Sequence, residues 1–107
     1  MNVVFMGTPE FAVPSLCSLA TSTHKIAAVV TQPDRPRGRS KTPCPSPVKE
    51  KAQALGLKIL QPVNINDEPV VKQLQCLSPD CIVVVAFGQF LSNAILQLPR
   101  YRCLNIH

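Results

Sequence analysis

Asn105 and His107 end an apolar run as Asn-Ile-His. On a strand, residues two apart project to the same face, so this spacing sets a primary amide beside an imidazole. A histidine titrates near neutrality and can take a proton from a reacting amine. An amide N–H can donate to an oxygen that gains negative charge as a carbonyl is attacked. Together the two suit acyl transfer to an amine. The same types at the same spacing also form ordinary hydrogen-bonded polar pairs, so the pair alone leaves catalysis open. His24, in a Thr-Ser-Thr-His turn, reads as a surface residue.

A second candidate is electrostatic. The chain of 107 residues carries a net charge of +5, and most of it has one address. Residues 31–51 hold Arg35, Arg37, Arg39, Lys41, Lys49 and Lys51 against only Asp34 and Glu50, and five of the eleven prolines. Each proline fixes φ, removes a donor and disfavours helix in the residue before it. Residues 32–47 therefore read as a long, irregular, cationic loop, functional or a solvated linker. With no aromatic residue interleaved, base stacking has no platform, and the loop's contacts are expected to be with phosphates.

Other chemistries find little support. Gly7 stands alone, without a G-x-G-x-x-G fingerprint or a glycine-lysine phosphate loop. The five cysteines include no C-x-x-C, so no metal is expected. Their odd number and the absence of a signal-peptide pattern suit reduced thiols in the cytoplasm. Cys17, Cys76, Cys81 and Cys103 read as core, and Cys44 as part of the loop. No apolar run approaches the roughly 20 residues that span a bilayer, so no membrane is expected.

These residues need elements to position them. A chain this long makes one small domain, which buries roughly two-thirds of its unfolded surface. Residues 2–6 (NVVFM), 25–31, 57–60, 81–86 and 102–106 read as strands, 81–86 (CIVVVA) being apolar on both faces. Thr8 with Pro9, Ser46 with Pro47, and Asn66 are expected to cap helices that end near residues 20, 56 and 77. Residues 92–96 suit one helical turn. Asp80, just before its strand, reads as a turn or capping residue. Strands alternating with helices make an α/β fold, a doubly wound parallel sheet. Ligands of such sheets lie beyond the carboxyl ends of the strands. The segments leaving those ends are 7–9, the loop from Gln32, the turn 87–90 and residues 105–107.

In order, M-G-T-P-E-F-A (6–12), V-V-T-Q-P-D-R-P-R-G-R-S-K (29–41), P-S-P-V-K (45–49), V-V-V-A-F-G (83–88) and L-N-I-H (104–107) resemble the N-terminal part of the methionyl-tRNA formyltransferase family. The likeness covers essentially the whole chain. T-Q-P-D-R-P-x-G-R with P-S-P-V-K is its specific part. Related formyltransferases acting on sugar nucleotides or glycinamide ribonucleotide share the sheet and the N-x-H but lack that loop.

The resemblance implies a Rossmann-like sheet and transfer of a formyl group from 10-formyltetrahydrofolate to methionine on initiator methionyl-tRNA, in bacterial or organellar translation. It implies Asn105 and His107 as catalytic residues. Gln89, Phe90 and Leu91 would line the folate pocket, and Arg35, Arg37, Arg39 and Lys41 would bind the tRNA. A monomer without metal is expected. The sequence departs from the family at Ser40 for a glycine, Ser92 for a proline and Arg102 for a glycine. The family's S-L-L-P folate segment, its catalytic Asp and its C-terminal β-barrel fall after residue 107. The chain is therefore expected to be a fragment, a truncated formyltransferase domain inactive by itself. Two alternatives stay open: a non-catalytic RNA-binding remnant, and formyl transfer to a nucleotide-linked amine.

Overall fold

The computed structural model describes every residue except 37, 40 and 107. Five strands, β1 (Asn2–Gly7), β2 (Lys25–Val30), β3 (Ile59–Leu60), β4 (Cys81–Val85) and β5 (Arg102–Asn105), form one sheet in the order β3-β2-β1-β4-β5. Every pairing is parallel; Phe5 sits opposite Val29 on one side and Val83 on the other. Four α-helices, α1 (Val13–Ala20), α2 (Pro47–Ala54), α3 (Glu68–Cys76) and α4 (Asn93–Leu96), complete the fold, with a 3₁₀ turn at Glu10–Ala12 before α1.

β1 and β4 are buried on both faces because the sheet is the middle layer of three. Val3, Phe5, Cys81, Val83 and Val85 pack with Leu16 of α1 and with Val48 and Ala52 of α2. Their neighbours Val4, Met6, Ile82 and Val84 turn to the other face, against Leu74 of α3, Ile95 of α4 and Phe87. This alternation is the strand period of two, and it explains continuous rather than alternating hydrophobicity. Asp80 closes the amino end of the sheet: its carboxylate accepts the Asn2 N–H at 2.8 Å.

The prolines set the helix starts. Pro14, Pro47 and Pro69 each occupy a first turn, where the missing N–H costs nothing. Ser46 caps α2 as expected, accepting from the Lys49 N–H, and Gly56 follows that helix at φ +71°. Two expected caps are overturned. Thr8 lies outside the helix it was to start, because the chain first makes the 3₁₀ turn; its hydroxyl donates to the Phe87 carbonyl at 2.7 Å. Asp67, not Asn66, precedes α3, and Asn66 reaches across to the turn after β4, donating to the Phe90 carbonyl and accepting from the Ser92 N–H.

All five cysteines are outside disulfides. Cys81 is buried as expected, but Cys76, in the last turn of α3, is exposed. Burial pushes the Cys81 thiol up, and Cys103 likewise. Since the thiolate is the nucleophile, iodoacetamide should modify Cys76 in the native protein and reach Cys81 only on unfolding. Equal rates at the two, read by peptide mass mapping, would contradict this packing. No helix among the described residues is long and apolar enough to cross a membrane.

Candidate functional site

β1 leads through α1 to β2 on one side, whereas β4 returns to the other side of β1. The crevice at the carboxyl ends of β1 and β4 is therefore the switch point at which such sheets bind ligands. A cleft of about 320 Å³ opens there, lined by Phe11, Ala86, Phe87, Gly88, Gln89 and Asn105 among others. This is at the small end of ligand pockets. Phe11 is 63% exposed and forms part of its wall.

The turn after β4 carries unusual backbone. Ala86 has φ +50° and Gly88 φ +98°. For alanine the left-handed conformation costs roughly 1–2 kcal/mol, and it persists only where neighbours hold it. Thr8 does so: while donating to the Phe87 carbonyl, its hydroxyl accepts from the Gln32 N–H at 3.4 Å. One side chain thus ties together the segments leaving β1, β2 and β4. Gln89 adds a second clasp. Its Oε1 accepts from the Ile65 N–H at 2.7 Å, and its Nε2 donates to Gln32 Oε1 at 2.9 Å and to the Pro62 carbonyl at 3.0 Å.

The sequence candidates fall into distinct places. Asn105 ends β5 opposite Val84 and lines the cleft beside Gln89. Phe90 points away, 85% exposed, while Leu91 packs on the α3 side of the sheet. His107 and Arg37 lie outside the described residues. In the sequence Thr8 reads only as a helix cap and Gln32 only as the start of the loop, and Gln61 is not singled out, although Thr-Pro and Gln-Pro steps at strand carboxyl ends are the signal that marks them. Among the described residues, no group of His, Cys, Asp and Glu comes together as metal ligands.

The cationic loop is less irregular than its prolines imply. Arg35 and Cys44 form an antiparallel bridge, with N–H to carbonyl distances of 3.1 and 2.9 Å, which closes residues 36–43 into a loop. The proline rule forbids helix but leaves an extended pair free to form. Arg35, Arg39 and Lys41 are exposed. Lys49 is occupied elsewhere, donating to Asp34 at 3.0 Å. Bonds from Gln61 and Lys49 hold the Asp34 carboxyl below the usual aspartate range, so it is ionised near neutrality. Arg39 and Lys41 are therefore exposed cations among the described residues between the two bridged positions.

The formyl transferase family pattern matches residues 1–107. The chain belongs to the formyl transferase family. It is 54% identical over all 107 residues to methionyl-tRNA formyltransferases of Lachnospira eligens and Moorella thermoacetica, and covers 34% of each. The chain thus spans about a third of the length of these curated relatives. Among solved structures, phosphoribosylglycinamide formyltransferase from Anaplasma phagocytophilum aligns over 99% of this chain and 48% of its own, with a TM-score of 0.68 and 15% identity. Glycinamide ribonucleotide transformylase 1 from Geobacillus kaustophilus aligns over 99% and 56%, with 0.66 and 16%. At these identities the two structures establish the shared fold. Family membership agrees with the doubly wound, Rossmann-like sheet expected from the sequence.

Proposed function

We propose that residues 1–107 are the N-terminal part of a methionyl-tRNA formyltransferase domain, acting in the cytoplasm or an organelle. The observation that carries the reading is one juxtaposition. The cleft holding Asn105 and Gln89 and the closed cationic loop lie at the same end of the sheet, joined through Gln32. A donor-lined cleft beside a phosphate-binding loop is what formyl transfer to an aminoacyl-tRNA requires.

In this reading 10-formyltetrahydrofolate supplies the formyl carbon, and part of it enters the cleft against Phe11 and the 86–89 backbone. Gln89 shapes that wall through its three bonds, and Phe90 and Leu91 extend the folate side of the turn. The methionyl amine attacks the formyl carbon. Asn105 donates to the oxygen that becomes an oxyanion, and His107 accepts the amine's proton and returns one to the departing tetrahydrofolate nitrogen. Arg35, Arg37, Arg39 and Lys41 meet tRNA phosphates.

The test is transfer of formyl from 10-formyltetrahydrofolate to methionyl-tRNA by the intact protein. Arg39→Ala should raise KM for the tRNA roughly three- to ten-fold, leave the folate KM alone and reduce the slope of log K against log[salt] by about 1. Unchanged tRNA kinetics would remove the loop from tRNA binding. Transfer to glycinamide ribonucleotide in place of methionyl-tRNA would overturn the substrate assignment.

A further inference from the structure

Asp34 is an acidic residue in a segment whose other charges suit phosphates. Its negative charge opposes phosphate binding, and its fold stabilisation is small. The pair with Lys49 is partly exposed, at 34% and 17% of the two side chains, and such surface pairs add little to stability. Neither charge complementarity nor stability accounts for a carboxylate here.

Its geometry does. Asp34 Oδ1 accepts from Lys49 Nζ at 3.0 Å and from Gln61 Nε2 at 2.7 Å, and Oδ2 accepts from Lys49 at 3.2 Å. Both partners sit on fixed parts of the sheet end. Lys49 is in the first turn of α2, and its N–H is capped by Ser46, whose hydroxyl is bonded to Thr31 in the buried layer at 2.7 Å. Gln61 follows β3 directly, and its amide also donates to the Gln32 carbonyl at 3.3 Å. One residue further along, the Arg35–Cys44 bridge closes the cationic loop. Asp34 thus fastens the loop to the sheet end just before that bridge, ahead of the exposed Arg39 and Lys41.

We propose that Asp34 is a positioning residue for RNA. Clamped between Lys49 and Gln61, it sets the direction in which the closed loop leaves the sheet, so that Arg39 and Lys41 meet phosphates already aligned. The role rests on the reading of the loop as the tRNA-binding element. Fixing a segment in its bound direction lowers the ordering cost of association.

The two possible roles of Asp34 differ in sign. If it acts through charge alone, Asp34→Ala removes a repulsive charge and tightens RNA binding. If it positions the loop, Asp34→Ala weakens binding of initiator tRNA by the intact protein, by roughly five- to ten-fold. The slope of log K against log[salt] then becomes shallower as phosphate contacts are lost. Gln61→Ala removes the other tether without changing net charge. Positioning expects roughly two- to five-fold weaker binding, charge alone none. Fluorescence anisotropy with labelled initiator tRNA reads both, and circular dichroism and the melting midpoint check that each variant is folded. Tighter or unchanged binding in both variants, while Arg39→Ala weakens it, overturns the positioning role and keeps the loop assignment. If Arg39→Ala also leaves binding unchanged, the loop assignment itself fails.

Discussion

If the proposed function holds, Asn105→Ala is expected to lower the rate of formyl transfer by roughly 10²–10³-fold, the usual cost of removing one donor to an oxyanion. Within the described residues Asn105 is exposed rather than part of the core. Its effect should therefore appear in kcat, with KM for folate and tRNA changing little, since the oxygen gains its charge only as the bond forms. Asn105→Asp is the sharper variant: nearly the same shape, no N–H to donate, and a negative charge where negative charge develops. It should be at least as impaired. Single-turnover transfer to methionyl-tRNA, quenched and resolved by acid gel, measures the step directly. A folded Asn105→Ala protein that retains more than about a tenth of the rate would assign the oxyanion donor elsewhere.

The strands and the sheet's layering were legible in the sequence because burial on both faces leaves a plain mark, a run such as Cys81–Val85 with no polar residue. The candidate site was legible in types but not in contacts. Asn105 beside a histidine, and a basic loop after β2, are visible as letters. That Thr8 and Gln89 spend their polar groups on backbone and side-chain partners 24–79 residues away is not. Local rules favoured Thr8 and Asn66 as caps because a hydroxyl or amide before a helix has a nearby N–H to serve. Both were drawn instead to carbonyls of the turn after β4, which only the assembled sheet brings within reach. The loop shows the same limit. Proline spacing excludes helix but says nothing of the pairing between Arg35 and Cys44, set by where β2 ends and α2 begins.

Gly7→Val should destabilise the protein by about 3 kcal/mol or more, the upper range for overfilling a packed core. Gly7 ends β1 opposite Val85 in β4. A Cβ there would lie 2.9 Å from the Phe5 ring, 2.9 Å from the Val85 carbonyl oxygen and 3.2 Å from the Ala12 Cβ. None of the three can yield cheaply. Phe5 is fully buried, Ala12 is fixed by the 3₁₀ turn, and the carbonyl is main chain. The glycine is needed here for close approach of two strands rather than for an unusual φ. Shrinking the ring in a Gly7→Ala, Phe5→Leu double variant should recover only part of the loss, because the Val85 oxygen still blocks the methyl. Urea unfolding of the single and double variants measures this, and full recovery would place the whole clash in the ring. The carbonyl also links stability to chemistry, since Val85 precedes the strained Ala86 and the cleft wall. Gly7→Ala alone, costing about 1–3 kcal/mol, should displace that wall and raise the folate KM while leaving initiator tRNA binding unchanged. A folate KM equal to wild type in a destabilised Gly7→Ala protein would mean that the sheet absorbs the methyl without moving the turn.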